Sequence, residues 1–340
     1  MERHLKNGHI GYVKGCRICM QTAPTRKVIA DGMPRVDEAP GRTWHVDSVY
    51  VDHLSYNGNR YAVVMYNDGA GYFHVFFMSE RSQAGVRLRD AIRELRTDPR
   101  FKKTHLVEVI KVDPAGEWHT NNQEFMQIMR DEHVHVDMRP TSVDKRQMAT
   151  GEGAVRIMEL MVSRIMIQTR LEAEMWEYAY TYAALMKNLH TRVKDASPDG
   201  NGPRPLEVMS KNFVSREHCD KCISYAVVPG TTAYVTVKRS SGSSVKRLAR
   251  TRVARALRMH DDSVVWECPH SRSTFISKNF VTVSTPGVST FEFLGIECPG
   301  TMPSALLPSR PSPHAQHIIR LSELWPPNEL PPVRQIVQES

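Results

Sequence analysis

Residues 44–51 read WHVDSVYV, residues 60–68 RYAVVMYND and residues 71–78 GYFHVFFM. These runs are rich in β-branched and aromatic side chains and are divided by turn signals at Asn57-Gly58 and Asp68-Gly69, so they predict three strands in a meander. Working outward, residues 82–97 have helical charge and apolar spacing. THLVEVIKV (104–112) reads as a fourth strand, buried because its apolar run is nearly continuous. A short helix near 121–132 and a strand near 133–138 follow. From 149 to 170, Val155, Met158, Val162 and Ile165 recur at helical spacing, and a further helix over 172–191 carries Trp176, Tyr180, Ala184 and Leu185. This order predicts an α/β fold with one mixed five-stranded sheet flanked by helices.

Beyond the Pro/Gly-rich break SPDGNGPRP (197–205) the pattern changes to short runs: ISYAVV (223–228), TAYVTV (232–237), SVVWEC (263–268) and KNFVTV (278–283). They predict a small β-barrel-like domain or sheet. Residues 284–340 hold 10 of the 21 prolines and little hydrophobic periodicity, which predicts a flexible tail. The expected organisation is thus 1–40, 41–196, 197–283 and 284–340.

Composition narrows the function classes. The 340 residues carry 45 Lys+Arg against 37 Asp+Glu, a net charge of +8 that favours a polyanionic partner. No apolar run is long enough for a membrane span, and MERHLKNGHIGYVKGC lacks the apolar core of a secretory signal, so an intracellular protein without a membrane partner is expected. Six cysteines are too few for a disulfide scaffold.

Four of the six form two C-x-x-C pairs. His4, His9, Cys16 and Cys19 combine two imidazoles with two thiolates, the donor set of a tetrahedral structural zinc site, which would fold an otherwise coreless segment. Cys219 and Cys222, with His218, Cys268 and His270 near or further on, read instead as ordinary core filling.

A second constellation is acidic. Asp47 interrupts the first strand, Asp113 ends the fourth and Glu152 begins the long helix. Singly, an acid at a strand end is usually solvated, and a Glu in a first helical turn complements the helix dipole. Together they make sense if the first and fourth strands are neighbours and the helix crosses over them. Three converging carboxylates need divalent cations, and hard oxygen donors select Mg2+ or Mn2+. Two such ions suit phosphodiester transfer. Asp52, five positions from Asp47, points to the opposite strand face, whereas spacing does not dismiss Glu117, Glu124 or Glu159.

At these residues the chain resembles the integrase of copia-type retrotransposons, from His4 to about Val283. HLKNGHIGYVKGCRICMQ is similar to the His/Cys zinc module, WHVDSVYV with its hairpin to the first-aspartate strand, VIKVDPAGEW to the second-aspartate motif and GEGAVRIMELM to the catalytic-glutamate helix. The resemblance implies an RNase H-like core whose catalytic metal ligands are Asp47, Asp113 and Glu152. It implies DNA 3′-end processing and strand transfer on double-stranded DNA, self-association to join two ends, and action in the nucleus on chromosomal DNA.

From Lys238 to Arg258 stand eight cations and no acid: Lys238, Arg239, Lys246, Arg247, Arg250, Arg252, Arg255 and Arg258. Such a run can neutralise DNA phosphates, though a solvated loop would look the same. Arg42, His45 and Lys145 could add phosphate contacts near the core. Two rival readings remain: an inactive, integrase-derived DNA-binding protein, and an RNase H-type nuclease of RNA–DNA hybrids.

Overall fold

The computed structural model describes residues 2–10, 13, 15–22, 39–101, 106–113, 118, 122–138, 145–190, 202–237, 250–260, 263–269, 273–283 and 318–319. Two short helices, α1 (Glu2–Lys6) and α2 (Arg17–Gln21), precede strands β1 (Thr43–Val51), β2 (Tyr61–Asn67) and β3 (Tyr72–Met78). Then come α3 (Ala84–Thr97), β4 (Val109–Val112), α4 (Gln123–Asp131), β5 (His135–Met138), α5 (Lys145–Thr169), α6 (Trp176–Leu189), α7 (Pro205–Met209) and α8 (Arg216–Tyr225). Strands β6 (Thr232–Val237), β7 (Arg250–His260), β8 (Ser263–Glu267), β9 (Thr274–Ser277), β10 (Phe280–Thr282) and β11 (Ile318–Ile319) complete the described elements.

The expected mixed sheet is present, in the order β3-β2-β1-β4-β5, with β1 to β3 antiparallel and β4 and β5 parallel to β1. Buried Asn67 secures its first corner. Its amide donates to the Thr43 carbonyl, and its side-chain oxygen accepts from the backbone of Gly41 and Ala70, so one residue closes the β2–β3 turn and anchors the start of β1. Helices cover both faces. Leu88, Ala91, Ile92 and Leu95 make the buried stripe of α3, which lies beside β3 on one face. On the other face Phe77 meets the rings of Trp176 and Tyr180 from α6, and α5 crosses β1 and β2.

The second sheet is antiparallel in the order β10-β6-β7-β8-β9, an open ladder among the described residues, over a small core of Val227, Ala233, Val235, Ala254, Ala256, Val264 and Trp266. Two sequence expectations need correction here. Residues 223–225 of ISYAVV are the last turn of α8, not a strand; Ser215 caps this helix by accepting from His218 N–H, and Cys219, Cys222 and Ile223 follow at helical i, i+3, i+4 spacing. The segment from Arg250 to His260 is the central strand β7, which a reading as a basic loop misses. Leu206, Met209, Val214, Cys219, Ala226 and Val228 belong to the first sheet's core cluster, so α7 and α8 pack with the core rather than with the second sheet. Of the Pro-rich tail the described residues are Ile318 and Ile319, which pair in parallel with Tyr50 and Val51. No described helix is long and apolar enough to cross a membrane.

Candidate metal centres

The parallel ladder between β1 and β4 runs Thr43↔Val109, Trp44↔Ile110, His45↔Lys111 and Val46↔Val112. One step further along both strands come Asp47 and Asp113. Asp47 is still within β1, while Asp113 is the residue that follows the end of β4, so each aspartate directly follows the last register pair. Asp47 is partly buried, and its Oδ1 accepts from Ser48 N–H at 2.8 Å. Asp113 is also partly buried, and burial raises its carboxyl above the usual carboxylate range. Burial alone therefore makes the charged form costly there, and a neighbouring cation would offset that cost.

Helix α5 lies over the same face. A methyl group added at Gly151 would rest 3.6 Å from His45 Cβ, and His45 shares its strand face with Asp47 two residues on. Glu152 is the next helical residue and is exposed. Helix α5 therefore carries the turn with Glu152 across β1 at His45. The register adds two groups that pattern reading missed: Lys111 stands beside His45, and Asp137 beside Lys111. Strand alternation over VHVDM puts Asp137 on the same face as His135, but only the β4–β5 register sets it opposite Lys111.

Of the competing acids, Glu124 lies exposed in the first turn of α4, while Glu159 faces buried Tyr180 of α6, whose hydroxyl it helps hold neutral. Glu117 lies outside the described residues. Asp47, Asp113 and Glu152 do not close into a tight ligand group. Among the described residues the one such group is His4, His9, Cys16 and Cys19, with all ligand atoms within 4.8 Å of one another.

That His/Cys group has the dimensions of a tetrahedral centre. Ligand atoms at zinc's usual bond lengths are separated by about 3.3–3.8 Å. His9 Nδ1 is 3.2 Å from His4 Nε2, 3.5 Å from Cys16 Sγ and 3.6 Å from Cys19 Sγ, and His4 Nε2 is 3.1 Å from Cys19 Sγ. The geometry comes from a sharp helix end: Gly8 and His9 both take left-handed φ, +63° and +60°, after α1, and their N–H groups bond to the carbonyls of Leu5 and His4. Burial lowers the pKa of His4, and that of His9 to about 4, with His4 and Arg164 adding to the effect on His9. Both imidazoles are therefore neutral at pH 7, as metal ligands must be. Burial raises the Cys19 thiol, so a cation would have to displace its proton.

No family description and no curated protein matches the chain. Three solved integrases are similar in structure. The catalytic core domain of BIV integrase aligns with TM-score 0.35 and 13% identity over 50% of this chain and 95% of that one. An HTLV-2 integrase catalytic core domain in complex with magnesium gives TM-score 0.35 and 13% identity over 50% and 97%. A simian T-cell lymphotropic virus intasome, in complex with a PP2A regulatory subunit, gives 0.32 and 13% over 73% and 84%. All three scores are low, so the case for a function rests on this chain's own residues.

The predicted nucleic-acid contacts are redistributed. Lys238, Arg239, Lys246 and Arg247 lie outside the described residues, and Arg250 and Arg252 are placed only as backbone of β7. Arg255 is a correction: it is 1% exposed and ion-paired with Glu267 of β8 and Glu172 from the α5–α6 connection, so it cannot reach a phosphate. A bulge between Ala256 and Arg258 re-aims the end of β7 and leaves Arg258 exposed. Arg258 lines a cleft of about 790 Å³ with Arg100, Lys221, His218 and Tyr225. Arg42 is exposed and paired with Glu108 at 2.8 Å, and His45 is buried. Cys219 is fully buried in the core, its thiol pushed up to about 11 by burial.

Proposed function

We propose that the chain is a polynucleotidyl transferase of the integrase kind, of the copia type, that processes and joins DNA ends with Mg2+ or Mn2+ held by Asp47, Asp113 and Glu152. The observation that supports this reading is the β1–β4 register, whose last pair, Val46↔Val112, immediately precedes Asp47 and Asp113, with α5 crossing β1 at His45. Bound there, two divalent ions would activate an attacking oxygen and stabilise the departing 3′ oxygen of a phosphodiester. The protein's own part is positional. Asp47 of β1 and Asp113, just past β4, would fix one side of the site, and the exposed Glu152 would swing in from the helix. His45 and Lys111 place further polar groups on the same face. No side-chain nucleophile is needed, since in phosphoryl transfer positioning and charge stabilisation supply most of the rate. Zinc at His4, His9, Cys16 and Cys19 would be structural, because four protein ligands leave no open position. Double-stranded DNA is the partner, self-association would bring two ends together, and the nucleus is where such an enzyme meets chromosomal DNA.

The test is magnesium-dependent strand transfer on an end-mimicking oligonucleotide. Asp47→Asn and Asp113→Asn each reduce joining by more than about 100-fold, and Glu152→Gln does the same, because each removes an ion ligand. Unchanged joining by Glu152→Gln overturns that residue's role. One observation favours a second reading: the three acids are less tightly gathered than the His/Cys group. A catalytically silent DNA-binding protein would bind the oligonucleotide and not join it, whereas an RNase H-type nuclease would cleave an RNA–DNA hybrid without joining.

A further inference from the structure

The geometry points to Gln168 and Arg164 of α5 as positioning residues for the N-terminal metal, so that the core helix completes a site the first 22 residues do not finish alone. This rests on the reading of His4, His9, Cys16 and Cys19 as a zinc centre. Gln168 Oε1 lies 2.9 Å from His9 Nε2. An amide oxygen can only accept, so the His9 proton is held on Nε2, and the Nδ1 lone pair is left facing the other three ligands. Fixing ring and tautomer in this way is what outer partners of metal-bound histidines do.

Arg164 secures the backbone around the ligands. It is only 7% exposed, and its guanidinium donates to the His9 carbonyl at 3.1 Å and to Thr22 Oγ1 at 3.0 Å, gripping the segment on both sides of the Cys pair. Those acceptors both belong to the N-terminal segment. A Cβ added at Gly8 would lie 3.5 Å from Ile165 Cδ1, on the same helix face. Two further bonds hold α1 to the core: Tyr182 Oη donates to the Lys6 carbonyl at 2.6 Å, and Lys6 Nζ to the Ser224 carbonyl at 2.8 Å. The metal therefore closes a tertiary junction between residues more than a hundred positions apart.

The experiment is chelator competition for Zn2+ on the full chain, with nitrogen NMR of the imidazoles. The parent binds one zinc. Gln168→Leu, which removes the acceptor, binds it about 10–100-fold more weakly, and Gln168→Glu, which keeps an acceptor oxygen, stays near the parent. In the loaded parent the imidazole shifts put the metal on Nδ1 of His9 and the proton on Nε2. Equal affinity for Gln168→Leu and the parent, or metal on Nε2, overturns the positioning role while leaving the zinc centre intact. A parent chain that takes up no zinc overturns the zinc reading itself.

Discussion

His74 occupies β3 on the face covered by α3, with its Nε2 3.9 Å from Glu94 and its side chain 15% exposed. Burial lowers its pKa below the ordinary 6.5, and the Glu94 carboxylate only partly opposes this. Arg100 and Asp98, which form a bidentate pair of their own, also face it. A depressed folded-state pKa means that stability is fully present above the unfolded value of 6.5 and is lost as pH falls from there through the folded value. His74→Phe removes the proton uptake. Urea midpoints of parent and variant measured from pH 8 to pH 5 should therefore run parallel above pH 7, and the parent should fall more steeply below about pH 6.5. His4 and His9 shift in the same direction, so the informative quantity is the difference between the two chains at each pH. Equal slopes throughout would mean that the His74 imidazole does not titrate differently on folding. His74 illustrates what a sequence pattern conceals: alternation over GYFHVFFM puts it on a face, while its charged company comes from α3 and the segment after it.

Gly230 joins the second sheet to the helix that carries Glu152. Its φ is +84°, and a Cβ there would come within 2.9 Å of Thr169 Oγ1 and 3.1 Å of Leu171 at the end of α5. Gly230→Ala meets both a conformational penalty and a steric one, so it should destabilise the chain by about 1–3 kcal/mol in a denaturant titration. Adding Thr169→Ser, which deletes the methyl but keeps the hydroxyl close by, should recover little of that loss; full recovery would show that the cost is not set by the backbone and the hydroxyl. Elements of the first sheet were legible because each signal was local: β-branched runs, Asn57-Gly58 and Asp68-Gly69 turns, and the helical stripe from Val155 to Ile165. That β1 and β4, the strands ahead of Asp47 and Asp113, are neighbours was legible because their order follows from the same local signals. Strand β7 was not legible, since a run of arginines looks solvated unless the A-R-A-L core of residues 254–257 is weighed more heavily than the charge. Helix α8 was hidden behind β-branched residues 223–228, while its cap and its Cys219–Cys222–Ile223 stripe carried the helical signal. Gln168, Arg164, Lys111 and Asp137 have no local signal at all, because register or tertiary docking alone gives them their neighbours.

At the scale of the whole molecule, the second sheet has a small apolar core: among the described residues its buried hydrophobic cluster is three alanines, three valines and a tryptophan, too little to stand by itself. Besides the packing of β7 against α6, it is joined to the rest at Gly230 and at Arg255, whose buried guanidinium bridges Glu267 of its own sheet and Glu172 of the core. Removing one member of a buried ion set strands the others. Arg255→Met leaves two carboxylates without their cation and should cost about 3–5 kcal/mol. Replacing Glu172 and Glu267 by Leu and Met in the same chain should return most of that loss, because an apolar triad of similar volume pays no desolvation cost. Calorimetry reads the consequence. The parent should unfold its two sheets in one transition, and Arg255→Met should release the second sheet first, splitting the transition in two. DNA binding supplies an independent check, since a phosphate-contacting arginine contributes about 0.9 to the slope of log K against log salt. A buried structural arginine contributes none. A variant core-packed by the triple substitution should therefore bind DNA with the parent's salt slope, and a slope reduced by one contact would return Arg255 to the nucleic-acid interface.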